Sequence, residues 1–596
     1  MIRTYRLLWQ LLSPLEKRHF LMLLVMVAFM AVFESIGVAI ILPFLQILAK
    51  PEIIQSNTFF RMLWDGFEFS STQNFITFFG LAVLVFILFS LTFRAISTYV
   101  MMRFCLMRGY SLGARLLRKY LYQPYVWFLN RNTSELGQMV LSEVDIVIQQ
   151  SLLAAVMLIS HTLVTVLIIG VLCLAEPWIA FGIFVGLGGG YILVYSLLRK
   201  RLENVGKQRY QANENRFRVT QEATSGLKEL KVMGIESAFI KQFRRPAQNL
   251  ARFQTKAQII TKLPRFALEA LMYGGFIIMV LVLQLRHGAE ITDMLPFLGL
   301  IGMAGSKLFP SLQQIYQQLS LMRFSASALT TLHHNLTTLK IPENIENDSG
   351  VLHLDNLFEL RDVSFHYEKE EKAILNSISL TFPKGDTIGI VGGTGAGKTT
   401  VVDLILGLLI PDSGNLNVDG TKITLENTRA WQKNLGYVPQ QIFLSDASVA
   451  ENIAFGVEKD QIDQAAVERA AGIAQLHEFV IAELADGYDT FVGERGVRLS
   501  GGQRQRVGIA RALYYNPEIL VFDEATSALD NLTEQALIEA IHSIGRSKTV
   551  IMIAHRLSTV KECDTIFLLE AGTLVAQGTY DELISESEKF RRMAKG

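Results

Sequence analysis

The chain has 596 residues, half of them hydrophobic, with a mean hydropathy of +0.30 and 56 Lys and Arg against 55 Asp and Glu. That length excludes a single core, since one core rarely serves more than roughly 250–300 residues, and the hydropathy is high for a soluble protein. Three cysteines, Cys105, Cys173 and Cys563, are too few and too scattered for a disulfide framework and sit in apolar surroundings as ordinary thiols.

The first 19 residues are mixed and carry Arg3, Arg6, Lys17 and Arg18. The apolar run that follows is about twice the length of a signal-peptide core, so it reads as an uncleaved spanning helix. A helix needs about 20 apolar residues to cross a bilayer. Six segments come near that: Phe20–Ala49, Phe75–Val100, Ser151–Ala175, Trp178–Leu198, Phe266–Leu285 and Ile291–Leu312. Glu176-Pro177 makes a tight hairpin between the third and fourth, and Lys307 interrupts the sixth.

Flanking Lys and Arg set the orientation. Arg199–Lys262 holds 15 Lys and Arg against 5 Glu and no Asp, and Arg103, Arg108, Arg115, Arg118 and Lys119 follow the second helix. Lys50–Asn74 has two basic residues and Glu176-Pro177 none. The N-terminus, both basic segments and everything after the sixth helix are therefore expected in the cytoplasm. Loops beyond about 12–15 residues are uncommon in compact proteins, and Leu198–Phe266 has only Pro246 before Pro264. The spanning helices are expected to continue out of the membrane there, and again around Tyr122–Asn132.

Residues 339–350 (LKIPENIENDSG) are polar and read as a linker. Beyond it, strand-like Val/Ile runs alternate with helical stretches, the pattern of a parallel α/β sheet. The expected organisation is a helical membrane domain over 1–338, the linker, and an α/β domain over 351–596.

Gly392-Gly393-Thr394-Gly395-Ala396-Gly397-Lys398-Thr399 matches G-x-x-x-x-G-K-[ST] between a strand, Thr387–Val391, and a helix, Thr400–Leu409. That is the P-loop context, in which glycines let backbone N–H groups curl round phosphates at a helix N-terminus. Lys398 is expected at the β- and γ-phosphates and Thr399 on Mg²⁺. Ile519–Glu524 is an apolar strand ending in two carboxylates. Asp523 fits the Mg²⁺-side acid, and Glu524 can orient or deprotonate an attacking water.

Leu499-Ser500-Gly501-Gly502-Gln503, about 20 residues before that strand, resembles the signature of ABC transporter ATPases. The other motifs of that family follow in order. Tyr367 resembles the aromatic that stacks on adenine, and Gln440 the Q-loop glutamine that senses Mg²⁺ and the membrane domain. Ser527-Ala528-Leu529-Asp530 resembles the D-loop, and His555 the switch histidine at the γ-phosphate. Val492–Gly496 resembles a loop characteristic of exporters. Tyr125–Val140 and Glu222–Phe243 resemble the two coupling segments. The resemblance is to type IV exporter half-transporters. It implies a six-helix all-α membrane domain followed by an α/β P-loop NTPase domain. It also implies a homodimer holding two ATP with Mg²⁺ head to tail, each ATP between the P-loop with Thr400 of one copy and Ser500, Gly501, Gly502 and Gln503 of the other. The chain is thereby expected to be a multi-pass protein of the cell's inner membrane.

For the cargo, Lys50–Asn74 is long for an outer connection. Phe59, Phe60, Leu63, Trp64 and Phe67 are spaced to form one apolar face suited to a membrane interface. In this it resembles PglK-type lipid-linked oligosaccharide flippases; the other reading is a short ordered loop. Arg94, Arg265 and Lys307 lie in or beside spanning helices, where uncompensated charge is costly. They face a cavity and bind the pyrophosphate of a lipid-linked glycan or similar glycolipid, or they pair with Glu34 and Glu269, or they lie deep enough in the cytosolic extensions to be solvated; Lys307 has no acid near it in sequence. The rival substrates are drugs, other lipids or peptides. The lack of a peptidase domain before the first helix argues against processed peptides, and the spans argue against a nucleic-acid partner.

Overall fold

The protein is described by a computed structural model covering residues 2–175, 177, 181–182, 184–287, 291–341, 350–367, 373–524, 548–554 and 556–595. Its contacts divide into two units, Met1–Gln123 with Asn130–Ile341, and Pro124–Leu129 with Pro342–Gly596.

The first unit is helical. Helix Pro14–Ala39 begins on a capping box in which Ser13 and Glu16 each bond the other's backbone N–H, with Pro14 in the first turn. Ile40 separates it from helix Ile41–Ala49. Helix Thr72–Leu121 has 50 residues, about 75 Å at 1.5 Å per residue and far more than the roughly 30 Å of hydrocarbon. The apolar second segment thus continues into its basic flank without a break. Among the described residues, Pro14–Ala49, Thr72–Leu121 and Thr133–Leu174 are long and apolar enough to cross a bilayer. Glu176 of the expected hairpin and residues 178–180 and 183 of the fourth segment lie outside the described residues. The fifth and sixth segments fall on helices Pro264–His287 and Ile291–Phe324.

The third helix starts earlier than its apolar run. Helical structure begins at Thr133 and passes through two π-helical stretches, Met139–Glu143 and Ile148–Leu152, before Leu153–Ala175. The π turns bring Glu143 against Arg209 of helix Gly189–Ser225. Arg209 donates to both carboxylate oxygens, at 3.0 and 2.6 Å, with the two residues 0% and 1% exposed. Asn213 and Gln138 also donate to Glu143 Oε1. Removing one member of a buried pair leaves an uncompensated charge, which costs about 3–5 kcal/mol. Glu143→Ala is therefore expected to lower the melting midpoint of the full-length protein in detergent by several degrees, and Glu143→Ala with Arg209→Leu to recover much of it. An unchanged midpoint in the single variant would show that the pair adds nothing.

The outer connection differs from the expected single face. Helix Thr58–Gly66, capped by Asn57, turns Phe60, Leu63 and Trp64 inward onto a cluster with Ile47, Ile54, Phe75 and Phe79. Phe60 is 6% exposed but Phe59 is 61% exposed. Phe59 sits in the first turn at the rim of the face. Phe67 lies past the helix end, where its ring meets Phe78 instead.

The second unit contains two sheets. A six-stranded sheet has the order β10-β9-β3-β8-β7-β6, with β3 Thr387–Gly392, β6 Leu435–Val438, β7 Ile519–Asp523, β8 Thr549–Ile553, β9 Thr565–Glu570 and β10 Thr573–Gly578. All its pairs are parallel except β9 with β10. Strands β3 and β8 are buried throughout, as expected for strands covered on both faces. The second sheet, absent from the expectation, is antiparallel, in the order β2-β1-β4-β5: β1 Leu357–Phe365, β2 Leu375–Pro383, β4 Ser413–Val418, β5 Thr421–Lys422. The stretch LTFPKGDTIGIVGG is split between them: β2 ends at Pro383 and β3 begins at Thr387, across a turn with Gly385 at φ +81°. Between the sheets lies an aromatic core in which Phe358 stacks on Phe382 at 4.4 Å and meets Trp431, whose indole N–H donates to Ile405 O.

Candidate functional site

The C-terminal ends of parallel strands are where open α/β sheets bind ligands, and here β3 and β7 flank β8. Beyond β3 the chain turns through Gly395 at φ +77° and Gly397 at φ +98° into helix Lys398–Ile405. A Cβ on Gly397 would meet the Leu375 side chain at 2.7 Å, while one on Gly393 or Gly395 would meet nothing within 4 Å. The loop is thus packed from behind and open in front. Gly397 supplies no side-chain cap, so the first-turn N–H groups of Lys398, Thr399 and Thr400 have no intrahelical partner. That is an anion cradle. Thr399 is exposed, whereas Thr400 and Ala396 turn their side chains into the protein; Thr400 could serve a ligand only through its backbone. Gly392 passes close to Leu569 O.

Lys398 is buried and its ammonium donates to Gly392 O at 2.9 Å and Gly393 O at 3.2 Å. Burial pulls its pKa below the usual lysine value, against the opposing pull of Glu524 and Asp523. Asp523 ends β7 and accepts from the Tyr437 hydroxyl at 3.3 Å. Glu524 follows with its backbone at φ +52°, a left-handed conformation that costs a side-chain-bearing residue about 1–3 kcal/mol and clusters at functional sites. Gln440 Nε2 donates to Glu524 Oε2 at 2.6 Å, so the motifs around residues 440 and 524 meet directly. Carboxylates outnumber the ammonium here, which suits a divalent cation arriving with a phosphate ester. Thr399, Asp523 and Gln440 are the residues that could hold Mg²⁺, with phosphate oxygens completing the shell.

Asp403, one turn into the P-loop helix, carried no sequence signal. Burial first, and the Asp523 charge second, push its carboxyl up to about 6. A raised carboxyl pKa contributes stability that is complete below the unfolded value and lost as pH climbs through about 6. Asp403→Asn is therefore expected to raise the melting midpoint at pH 7.5 and to raise it clearly less at pH 4.5, inside the window between the two values. A gain of equal size at both pH values would remove the ionised carboxylate as its cause.

Tyr367 packs edge-on against Phe365 at 5.0 Å. The short helix Tyr125–Leu129 belongs to this unit: Val126 packs against its core, and burial, then Asp403 and Tyr367, raise the Tyr125 phenol. Ser500 begins helix Gly501–Leu513 on a capping box, bonding Gln503 N while Gln503 Oε1 accepts from Ser500 N. Gln503 is thereby occupied with the cap, and the Gly501 and Gly502 N–H groups are left for a ligand. Asp530 and His555 lie outside the described residues.

In the membrane unit the three basic residues find acids. Arg94 donates to Glu34 Oε1 at 2.8 Å, and Lys307 donates to the same oxygen at 3.1 Å. Lys307, isolated in sequence, thus shares a carboxylate 273 positions away that is 8% exposed. His161 lies within electrostatic reach of Arg94 and Glu34. Arg265 pairs with Glu269 at 3.6 Å, one helical turn on, and does not join this cluster.

Family models agree with this geometry. The ABC transporter model matches residues 375–527, and the ABC transporter transmembrane region model matches 20–303. The toxin RTX-I translocation ATP-binding protein of Actinobacillus pleuropneumoniae is 31% identical over 569 residues, covering 91% of this chain and 75% of that protein. The alpha-hemolysin translocation ATP-binding protein of Escherichia coli is 30% identical over 558 residues, covering 89% and 74%. The solved structure of a bacterial Atm1-family ABC exporter with ATP bound superposes with a TM-score of 0.79 at 23% identity, over 98% of both chains.

Proposed function

The chain belongs to the ABC transporter family, as an exporter half-transporter whose ATPase is coupled to transport, and from that premise we propose a homodimer that flips a lipid-linked oligosaccharide or related glycolipid by alternating access. In this reading Lys398 and the loop Gly392–Gly397 grip the phosphates, and Thr399, Asp523 and Gln440 hold Mg²⁺. The metal, when bound, neutralises phosphate charge. Glu524 positions the attacking water, and Ser500 with the Gly501 and Gly502 amides reaches the nucleotide on the partner copy. His555 and Asp530 complete the set. The protein is a multi-pass membrane protein, and we place its N-terminus and ATPase domain in the cytoplasm of a cell with this inner membrane.

The observation that carries the cargo assignment is the Glu34–Arg94–Lys307 cluster. Two cations share one carboxylate among apolar helices, where charge is expensive and marks substrate pathways. The surplus positive charge suits a pyrophosphate head, which bonds such cations strongly. Arg265, already paired, adds no such surplus. The decisive assay is movement of fluorescent lipid-linked oligosaccharide in proteoliposomes. Lys307→Ala is expected to slow it by roughly 10-fold or more, the worth of one hydrogen bond to a charged group, while basal ATPase changes less than about twofold. Equal loss of both would refute headgroup binding.

A second reading, export of a polypeptide, is favoured by the names of the 30–31% identical relatives, which are toxin and hemolysin translocation proteins. Vesicles that take up an unfolded toxin-type polypeptide but flip no glycolipid would decide for it.

A further inference from the structure

Helix Ile2–Leu11 packs on the rest of the first unit without closing on it. Tyr5 Oη donates to Ala155 O at 3.1 Å, Leu8 and Leu11 are buried, and Trp9 meets Phe20 edge-on at 6.1 Å. Beneath it remains a cavity of about 440 Å³ lined by Tyr5, Leu8, Trp9, Phe20, Leu152 and Ala155. Arg6 stands at its rim. An apolar cavity of roughly 150 Å³ already takes benzene in preference to water, and this one has about three times that room.

The charged residue that lines the opening, Arg6, is basic, and so are most of its charged neighbours in sequence. Arg3, one turn before Arg6 on the same helix face, Arg6 itself and Arg18 are exposed, and Lys17 lies over the Trp9 ring at 5.5 Å. Glu16 is the single acid among residues 1–19. It is buried and bound by Arg108 at 2.7 Å, by Ser111 and by the Ser13 N–H. The cavity also reaches Phe20, where the apolar run of helix Pro14–Ala39 begins, beside an amphipathic helix with basic and Trp residues of the kind that lies at headgroup depth.

We propose that this cavity binds one acyl chain of an anionic membrane phospholipid, with the headgroup held against Arg6 and Arg3. This lipid is a resident of the protein and is separate from the transported molecule, so the site stands whichever cargo is correct.

Quenching of Trp9 by bromine-labelled lipid chains tests it, using the full-length protein in nanodiscs, with the Trp9 signal taken as the difference from Trp9→Phe. Brominated phosphatidylglycerol should quench Trp9 at a mole fraction about fivefold lower than brominated phosphatidylcholine, the preference expected of one cation near an anionic surface. Arg3→Glu with Arg6→Glu, both on exposed positions, should erase that preference. Ala155→Leu should weaken quenching by both lipids. Equal quenching by the two lipids in the unaltered protein, no quenching by either, or a preference that survives the Arg3/Arg6 reversal would each overturn the assignment.

Discussion

Glu524→Gln is expected to reduce ATP turnover by about 10²–10⁴-fold, the usual contribution of a positioned general base, while ATP still binds. The carboxylate stands at the end of β7, one residue beyond Asp523, and already accepts a 2.6 Å hydrogen bond from Gln440. Gln keeps the length and the donor contact but cannot take a proton from water. The phosphate cradle, with Lys398 and the first-turn N–H groups, is untouched, so nucleotide affinity should change little. The backbone at φ +52° is the same burden for Gln as for Glu, so folding should not confuse the result. Phosphate release and equilibrium nucleotide binding measured on the same preparation check both halves. Hydrolysis that persists at the original rate would take Glu524 out of its role.

Ser500→Arg carries the other large effect. Ser500 caps helix Gly501–Leu513, and losing that cap costs about 1 kcal/mol, which a folded domain tolerates. The arginine would also cover the Gly501 and Gly502 amides. If those amides bind a phosphate in the transition state, their loss is worth roughly 10²–10³ in rate, as for other preorganised backbone donors. Ser500→Ala separates the two contributions, because it removes the cap and leaves the amides open. Turnover should fall far more in Ser500→Arg than in Ser500→Ala; equal activities would show that the signature does not face nucleotide.

What could be read from the sequence was whatever one segment decides alone. The P-loop and the strand Ile519–Asp523 were visible because a glycine pattern and a buried Val/Ile run are local properties. The antiparallel sheet was missed because β1 does not alternate cleanly. Asp362 adopts φ +48° at a bulge, and the register with both β2 and β4 slips there, so the period-2 signal breaks in mid-strand. The π turns before residue 153 leave no mark in hydropathy. The charge cluster was half legible. Arg265 and Glu269 stand four apart and could be paired on paper, but the Lys307–Glu34 contact spans 273 positions, a fact of packing that no single stretch encodes. Asp403 looked like any polar helix residue until β7 placed Asp523 near it.

The central claim is that nucleotide is held between the P-loop of one copy and the signature of another. Co-expressing a Lys398→Ala chain with a Ser500→Arg chain tests it most directly, each chain carrying its own affinity tag so that mixed dimers can be isolated. Each variant alone places one defect in both sites. In the mixed dimer both defects fall in one site and the other is intact. The account predicts that mixed dimers recover trapping of one ATP per dimer, which neither parent shows. Mixed dimers as inactive in trapping as the parents would contradict it.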